Sequence, residues 1–287
     1  MDSTVRFEHF DGVNTDAEQA CFDAVSRGAA ERAGVSAPPL IVSGDFARSI
    51  DDRIGVVGYN VAHRGSALTV ARTFAKAPRE PEVVLNFALV TPDGKFVEAG
   101  ENRGLTARFV AHEFMHAATI RRDEPSRRPH QQGNNPAERF WLAGSWKAID
   151  EYRAERAIVE ASWPQDIDYA EDFIVTLTNY LDDAIHASAL ELTGAVTAPF
   201  TSLCDRLGFA AASSDLDHNP TWTRYQGLGL TSIVRKLRDV PHSAIAVSVE
   251  EMDTHSRAIA TELEGWIRHL GIELTSVGAE YLSATRA

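Results

Sequence analysis

Residues 106–120 set the strongest limit on what this chain can fold into. They read Thr-Ala-Arg-Phe-Val-Ala-His-Glu-Phe-Met-His-Ala-Ala-Thr-Ile, with no proline or glycine among them and Gly104 just before their start. An uninterrupted stretch of this kind reads as a helix. Side chains four apart share one helix face, so His112 and His116 can bind a single metal ion through two imidazoles. Glu113 is turned to the flank of that face, within reach of a water on such an ion. The neighbours Phe109, Val110, Ala111, Phe114, Met115, Ala117 and Ala118 are apolar, which suits a buried helix. Burying two imidazoles and a carboxylate there is costly unless they find partners, and a metal with its water supplies them. The competing reading is a chance H-E-x-x-H in a chain with ten histidines.

Charge and cysteine usage narrow the function. The 287 residues carry 28 basic and 41 acidic side chains, a net charge of −13. So acidic a surface argues against nucleic acid and anionic membrane as partners. Cys21 and Cys204 are the two cysteines, and neither sits in a C-x-x-C pair. They make neither a zinc knuckle nor a disulfide framework. The first residues lack a basic segment followed by an apolar one, and no apolar run approaches about 20 residues. The expectation is a cytoplasmic protein with no membrane partner.

Along the chain, residues 15–33 read as a helix stopped by Gly34, and Leu40-Ile41-Val42 as a short strand. Residues 53–62 and 66–74 read as a strand pair joined at His63-Arg64-Gly65, and 81–90 as a further strand. Pro92-Asp93-Gly94 is a turn, with 95–98 returning as a strand before the histidine helix. Short turns predict a mainly antiparallel or mixed sheet with helices on one face. Residues 121–139 combine five arginines with prolines, asparagines and a glycine. They read as a long loop, either solvated or a lid over the site. Helices are expected over 140–162, 166–190 and 222–239, the last broken near Gly227 and Gly229. A final helix is capped by Ser248 with Glu251 and stopped at Gly271. The fold class is α+β. A metal-binding domain is expected over 1–165 and a helical subdomain over 166–287.

A catalytic zinc takes three protein ligands and keeps one position open. A third histidine six residues beyond His116 is absent, since that position is Arg122. Acidic and histidine candidates further on are Asp123, Glu124, His130, Glu138, Asp150, Glu151 and Glu155. A ligand needs a rigid support, which favours Glu151, inside a helix, over Glu138, at the end of a loop. Glu155 stands one turn after Glu151, where it can accept a hydrogen bond from a metal-binding imidazole. The alternative is a pair of surface glutamates in ordinary helix charge pairs with Arg153 and Arg156.

Glu151-x-x-Ala154-Glu155, following His112-Glu113-x-x-His116, resembles the E-x-x-A-[DN] element of the ImmA/IrrE-type peptidases and of other gluzincins. The likeness covers about residues 106–160. It implies a zincin-like fold, Zn2+ bound by His112, His116 and Glu151, Glu113 as general base and Glu155 in the supporting position. Glu155 departs from the usual aspartate or asparagine, and Ile158-Val159-Glu160-Ala161 replaces the apolar tail common in ImmA/IrrE proteins. The implied activity is that of a zinc metallopeptidase. It would hydrolyse bonds of a peptide or protein substrate with a zinc-activated water. Tyr169, Tyr180, His186, His218 and Tyr225 are candidates to stabilise the oxyanion, and a substrate strand could pair with a sheet edge near 83–98. The alternative is a metal-stabilised regulatory or interaction protein of the same fold with little general proteolysis. The presence of Glu113 argues for chemistry, since a structural site needs no base.

Overall fold

The computed structural model describes residues 5–11, 16–55, 71–90, 101–124, 133–163, 168–213, 215–225 and 229–286. The chain divides into two compact units, Met1–Asp123 with Ala157–Asp166, and Glu124–Arg156 with Ile167–Ala287. Residues 124–156, expected within the metal-binding part, thus group with the C-terminal helices. The secondary structure is α+β with a mixed sheet and is mostly helical. No helix among the described residues is long and apolar enough to cross a membrane.

The first unit begins with β1 (Val5–Glu8), α1 (Asp16–Ala33), β2 (Leu40–Ser43) and α2 (Phe46–Ile54). It continues with β3 (Ala71–Ala77), β4 (Glu80–Asn86), α3 (Phe87–Val90) and α4 (Glu101–Arg121). Gly34 ends α1 with φ +69°, a backbone that glycine adopts without strain. Arg53 and Ile54, expected in a strand, close α2 instead. Asp45 caps that helix by accepting from the Arg48 N–H, and Gly55 ends it in the left-handed conformation. The expected strand over 81–90 stops at Asn86, because the Asn86 side chain accepts the Ala88 N–H and turns the chain into α3. The rest of the expected pair (56–70) and the turn and strand over 92–98 fall outside the described residues.

The four strands lie in the order β1-β2-β4-β3, the first three parallel and β3 antiparallel to β4. β4 is therefore interior. The edge expected near 83–98 belongs, among the described residues, to β3. Alternation assigns the two faces. Ile41, Val84 and Phe74 pack with Phe46 and Ile50 of α2. Leu40, Val42, Val83 and Leu85 point the other way, and the registry sets Thr73 opposite Val83 on that second face. α4 packs against β3, β4 and α1. Helices thus cover both faces rather than the one expected. Each fully buried valine or leucine in this sheet contributes about 1.5–3 kcal/mol.

The second unit carries α5 (Pro136–Glu160, whose last four residues belong to the first unit), α6 (Tyr169–His186) and α7 (Leu192–Thr197). It goes on with α8 (Phe200–Ala212), α9 (Asp215–His218), α10 (Pro220–Tyr225), α11 (Leu230–Arg238) and α12 (Val249–His269). A hairpin of β5 (Ile272–Val277) and β6 (Tyr281–Arg286) completes it. Its core is one apolar cluster running from Trp141 and Trp146 of α5 through Phe173, Phe200 and Leu207 to Trp266. α5 starts four residues earlier than expected. Asn135 accepts the Glu138 N–H, Pro136 takes the first helical position, and Glu138 accepts the Asn134 N–H. Gly229, at φ +85°, begins α11 and accounts for the break expected there. Ser248 accepts the Glu251 N–H and caps α12 as expected.

On the α2 face of the sheet, Arg53 joins two carboxylates from different strands. Its Nε donates to Glu82 at 2.6 Å, and its two terminal nitrogens donate to the two oxygens of Glu8, each at 3.1 Å. Burial pushes the Glu8 carboxyl up, but the bonds from Arg53 and Ser49 outweigh that and hold it below its usual 4.5. A carboxyl lowered by folding adds stability above its ordinary pKa, and that stability is lost as pH falls through the lowered value. Arg53→Met is expected to cost roughly 2–4 kcal/mol in urea unfolding at neutral pH, since it takes the closer partner from the well-buried Glu82 and leaves it Arg6 at 3.5 Å. The difference from the unsubstituted protein should shrink below pH 4.5. A neutral-pH loss below about 0.5 kcal/mol would class the network with ordinary surface pairs.

Candidate metal centre

Between Thr106 and Ile120, α4 is buried on nearly every side, polar residues included. Val110, Ala111, Phe114, Met115 and Ala117 are 0–1% exposed. Its C-terminus is fixed by Arg121, which donates to the backbone carbonyls of Ser36 and Ala37 ahead of β2. Gly104 lies within this helix rather than before it.

His112 and His116 are 5% and 6% exposed. Their Nε2 atoms approach to 3.1 Å, with the rings crossed at 76°. Two nitrogens each about 2.0–2.1 Å from a tetrahedral ion lie about 3.3–3.4 Å apart. The observed spacing is therefore that of two ligands converging on one ion, with a shift of a few tenths of an ångström. The same approach lets one neutral ring donate to the other, which partners both while no ion is bound. A carboxylate oxygen of Glu113 completes the group: the three side chains offer ligand atoms all within 4.8 Å of one another. The group can hold a metal ion.

Glu113 is less buried than either histidine, as its rotation of about 100° around the helix requires. Thr73 of β3 meets it there. The threonine Oγ1 lies 2.6 Å from the Glu113 Oε2 and 2.9 Å from the Glu113 carbonyl oxygen. Comparison with protein-family models, with curated proteins and with solved structures finds no match for this chain. What the site does must be read from its own side chains.

The other sequence candidates belong to the second unit, Asp123 excepted. Glu151 is 8% and Glu155 1% exposed, so neither is a surface glutamate. Arg153, expected to pair with them at the surface, is itself buried. It bonds to the Glu124 carboxylate and to the carbonyls of Pro241 and Ile245, the two carbonyl bonds at 2.8 Å. Glu151 is anchored by Lys147, one turn back on α5, whose ammonium also lies 3.2 Å from Asp205 of α8. Burial opposes the charge on Lys147. Asp205, Glu151 and Asp150 outweigh it and raise its pKa well above the usual lysine value. α8 comes close at this point because residue 208 is glycine: a Cβ there would strike the Ala148 carbonyl and lie 3.0 Å from the Glu151 Cβ. Glu151 therefore stands on a rigid support.

Glu138 has other work. One oxygen accepts the Asn134 N–H and the other pairs with Arg257 of α12 at 2.9 Å. The bond from Asn134 comes first among the causes that lower its carboxyl. Asp123 is exposed and pairs with Arg79 at 3.4 Å. His130 falls outside the described residues. Among the candidate oxyanion donors, Tyr180 is buried and donates to the Val196 carbonyl. Tyr169 stacks on Phe209, and exposed His186 pairs with Asp182. His218 is exposed at the end of α9, and the side chain of Tyr225 falls outside the described residues. Two participants escaped sequence reading. Lys147 was legible as an i,i+4 partner of Glu151. Thr73, 40 residues before Glu113, has no local signature.

His112→Ala or His116→Ala is expected to abolish uptake of a divalent metal and any metal-dependent rise in melting temperature. Glu138→Ala should keep the metal and lose about 1 kcal/mol through the weakened helix start. Metal analysis after dialysis, with melting curves for each variant, checks both. Loss of metal from the Glu138 variant with retention by the histidine variants would reverse the assignment.

Proposed function

We propose that this chain is a zinc-dependent metallopeptidase of the gluzincin type, acting on peptide or protein substrates in the cytoplasm. The observation that carries the proposal is the convergence of two buried imidazoles on one point with a carboxylate beside them. The chemistry of the donors fits zinc: two neutral imidazoles plus carboxylate oxygen make a borderline set that this ion accepts. The resemblance around Glu151-x-x-Ala154-Glu155 supplies the third ligand, Glu151, and the supporting carboxylate, Glu155. Both cysteines are free, which fits a reducing compartment.

Zinc in such a site lowers the pKa of a water toward neutrality and polarises the scissile carbonyl. The protein's own part is to fix His112 and His116 on one buried face, to exclude bulk solvent from them, and to hold a base beside the attacking water. Glu113 takes the water proton as the bond to the carbonyl carbon forms, then delivers it to the leaving amine. A purely structural zinc site fills its coordination with protein ligands and needs no base, so Glu113 in this position favours hydrolysis over a scaffold role.

The protein should bind about one zinc per chain. Glu113→Gln should keep that zinc and lose hydrolysis of a peptide library by at least about 10²-fold, since the amide keeps the shape but cannot take the proton. In zinc titrations Glu151→Ala should weaken binding far more than Glu138→Ala. Glu155→Ala should fall between them, with a loss of about 10- to 100-fold in affinity or activity. A zinc-loaded Glu113→Gln protein with undiminished turnover would sink the mechanism, and unchanged zinc affinity in Glu151→Ala would sink the ligand assignment.

A further inference from the structure

We propose that Thr73, on β3, is a positioning residue that holds the Glu113 carboxylate ready for proton transfer. This rests on the hydrolytic reading above and adds a residue to it. The Thr73 hydroxyl has one proton and two acceptors within reach, the Glu113 Oε2 at 2.6 Å and the Glu113 carbonyl oxygen at 2.9 Å. The charged oxygen is the stronger acceptor, and 2.6 Å is the length of a hydroxyl–carboxylate bond. The proton therefore goes to Oε2. One carboxylate oxygen is tied to the strand, and Oε1 remains to take a proton.

A free glutamate rotates about three side-chain bonds. Here the bond to Oε2 selects one arrangement, because it ties the far end of the side chain to β3. β3 is a firm anchor: Thr73 is buried, sits opposite Val83 of β4, and lies on the face packed by α4. Restraint matters for two reasons. A misplacement of about 1 Å in a reacting group costs about 10²-fold in rate. A carboxylate whose ligand atom lies within 4.8 Å of two metal-binding nitrogens can also swing onto the ion, where it is a ligand and no longer a base. The Thr73 bond resists that swing.

The test uses full-length protein loaded with cobalt(II), whose visible bands are intense in four-coordinate sites and weaken as ligands are added. Thr73→Val keeps the shape and the β-branch and deletes the hydroxyl. It should lower kcat on a peptide substrate by about 10- to 100-fold with KM within about two-fold. Its cobalt bands should weaken as Glu113 joins the ion, and Thr73→Val/Glu113→Gln should not show that weakening. Thr73→Ser restores the hydroxyl and should return kcat to within about three-fold and the spectrum to that of the unsubstituted protein. A Val variant with unsubstituted kcat and spectrum overturns the role of Thr73 while leaving the metal centre intact. Equal losses in the Val and Ser variants overturn it too, since the hydroxyl would then not be the cause. Failure of the unsubstituted protein to bind cobalt overturns the metal centre and this inference together.

Discussion

The first unit depends on the burial of two imidazoles, with a half-buried carboxylate beside them, along one helix. Without partners, each buried polar group would cost about 1–3 kcal/mol. The architecture supplies them locally. The histidines meet each other at 3.1 Å, and Glu113 meets the hydroxyl of Thr73 at 2.6 Å. α4 can be placed to that tolerance because its other side chains fill the space between α1 and the sheet. Arg121 ties its last turn to the chain entering β2. The packing that stabilises the unit is thus also what aims the side chains.

The second unit solves a related problem with different means. Two of its charge clusters are compensated within the unit, Glu124 by Arg153, and Glu151 with Asp205 by Lys147. Replacing such pairs with apolar residues is often neutral for stability, so their presence has to be explained by geometry. The Lys147 cluster fixes a carboxylate in the middle of α5, and the glycine at 208 lets α8 close over it. Elsewhere the same helix uses Glu138 for a cap and an ion pair with Arg257. Two glutamates that look equivalent in a string of letters therefore differ sharply in what binds them.

Much of this was legible in the sequence where the determinants are local. The α4 helix, the stop at Gly34, the β2 strand and the Ser248 cap follow from spacing and capping chemistry within a few residues. The misplacements are also local, and instructive. Asn135-Pro136-x-Glu138 is a helix start, yet the surrounding prolines and asparagines read as loop. Val83 to Val90 is rich in β-prone residues, and one side-chain bond to Asn86 ends the strand early. α8 and the β5–β6 hairpin are not among the expected elements, although Phe200, Leu203 and Leu207 stand at helical steps and residues 272–275 alternate. Helices on both faces of the sheet, the interior place of β4 and the meeting of Thr73 with Glu113 were not legible. They depend on pairings between segments tens of residues apart, and no local pattern encodes them.

Arg153 shows how unevenly such a structure distributes its tolerance to change. Of the bonds its guanidinium makes to Glu124, Pro241 and Ile245, two go to backbone carbonyls, those of Pro241 and Ile245. A carbonyl is present whatever side chain stands there, so the segment 241–245 can drift in sequence provided its path is kept. The arginine has no such latitude. Lysine offers a point charge in place of a planar fork and cannot span two carbonyls and a carboxylate in the same directions. Related chains, diverging over time, would keep position 153 and Glu124 fixed while the loop that encloses them varied. A fixed arginine beside a variable loop looks like a functional residue, although here its work is to hold the loop.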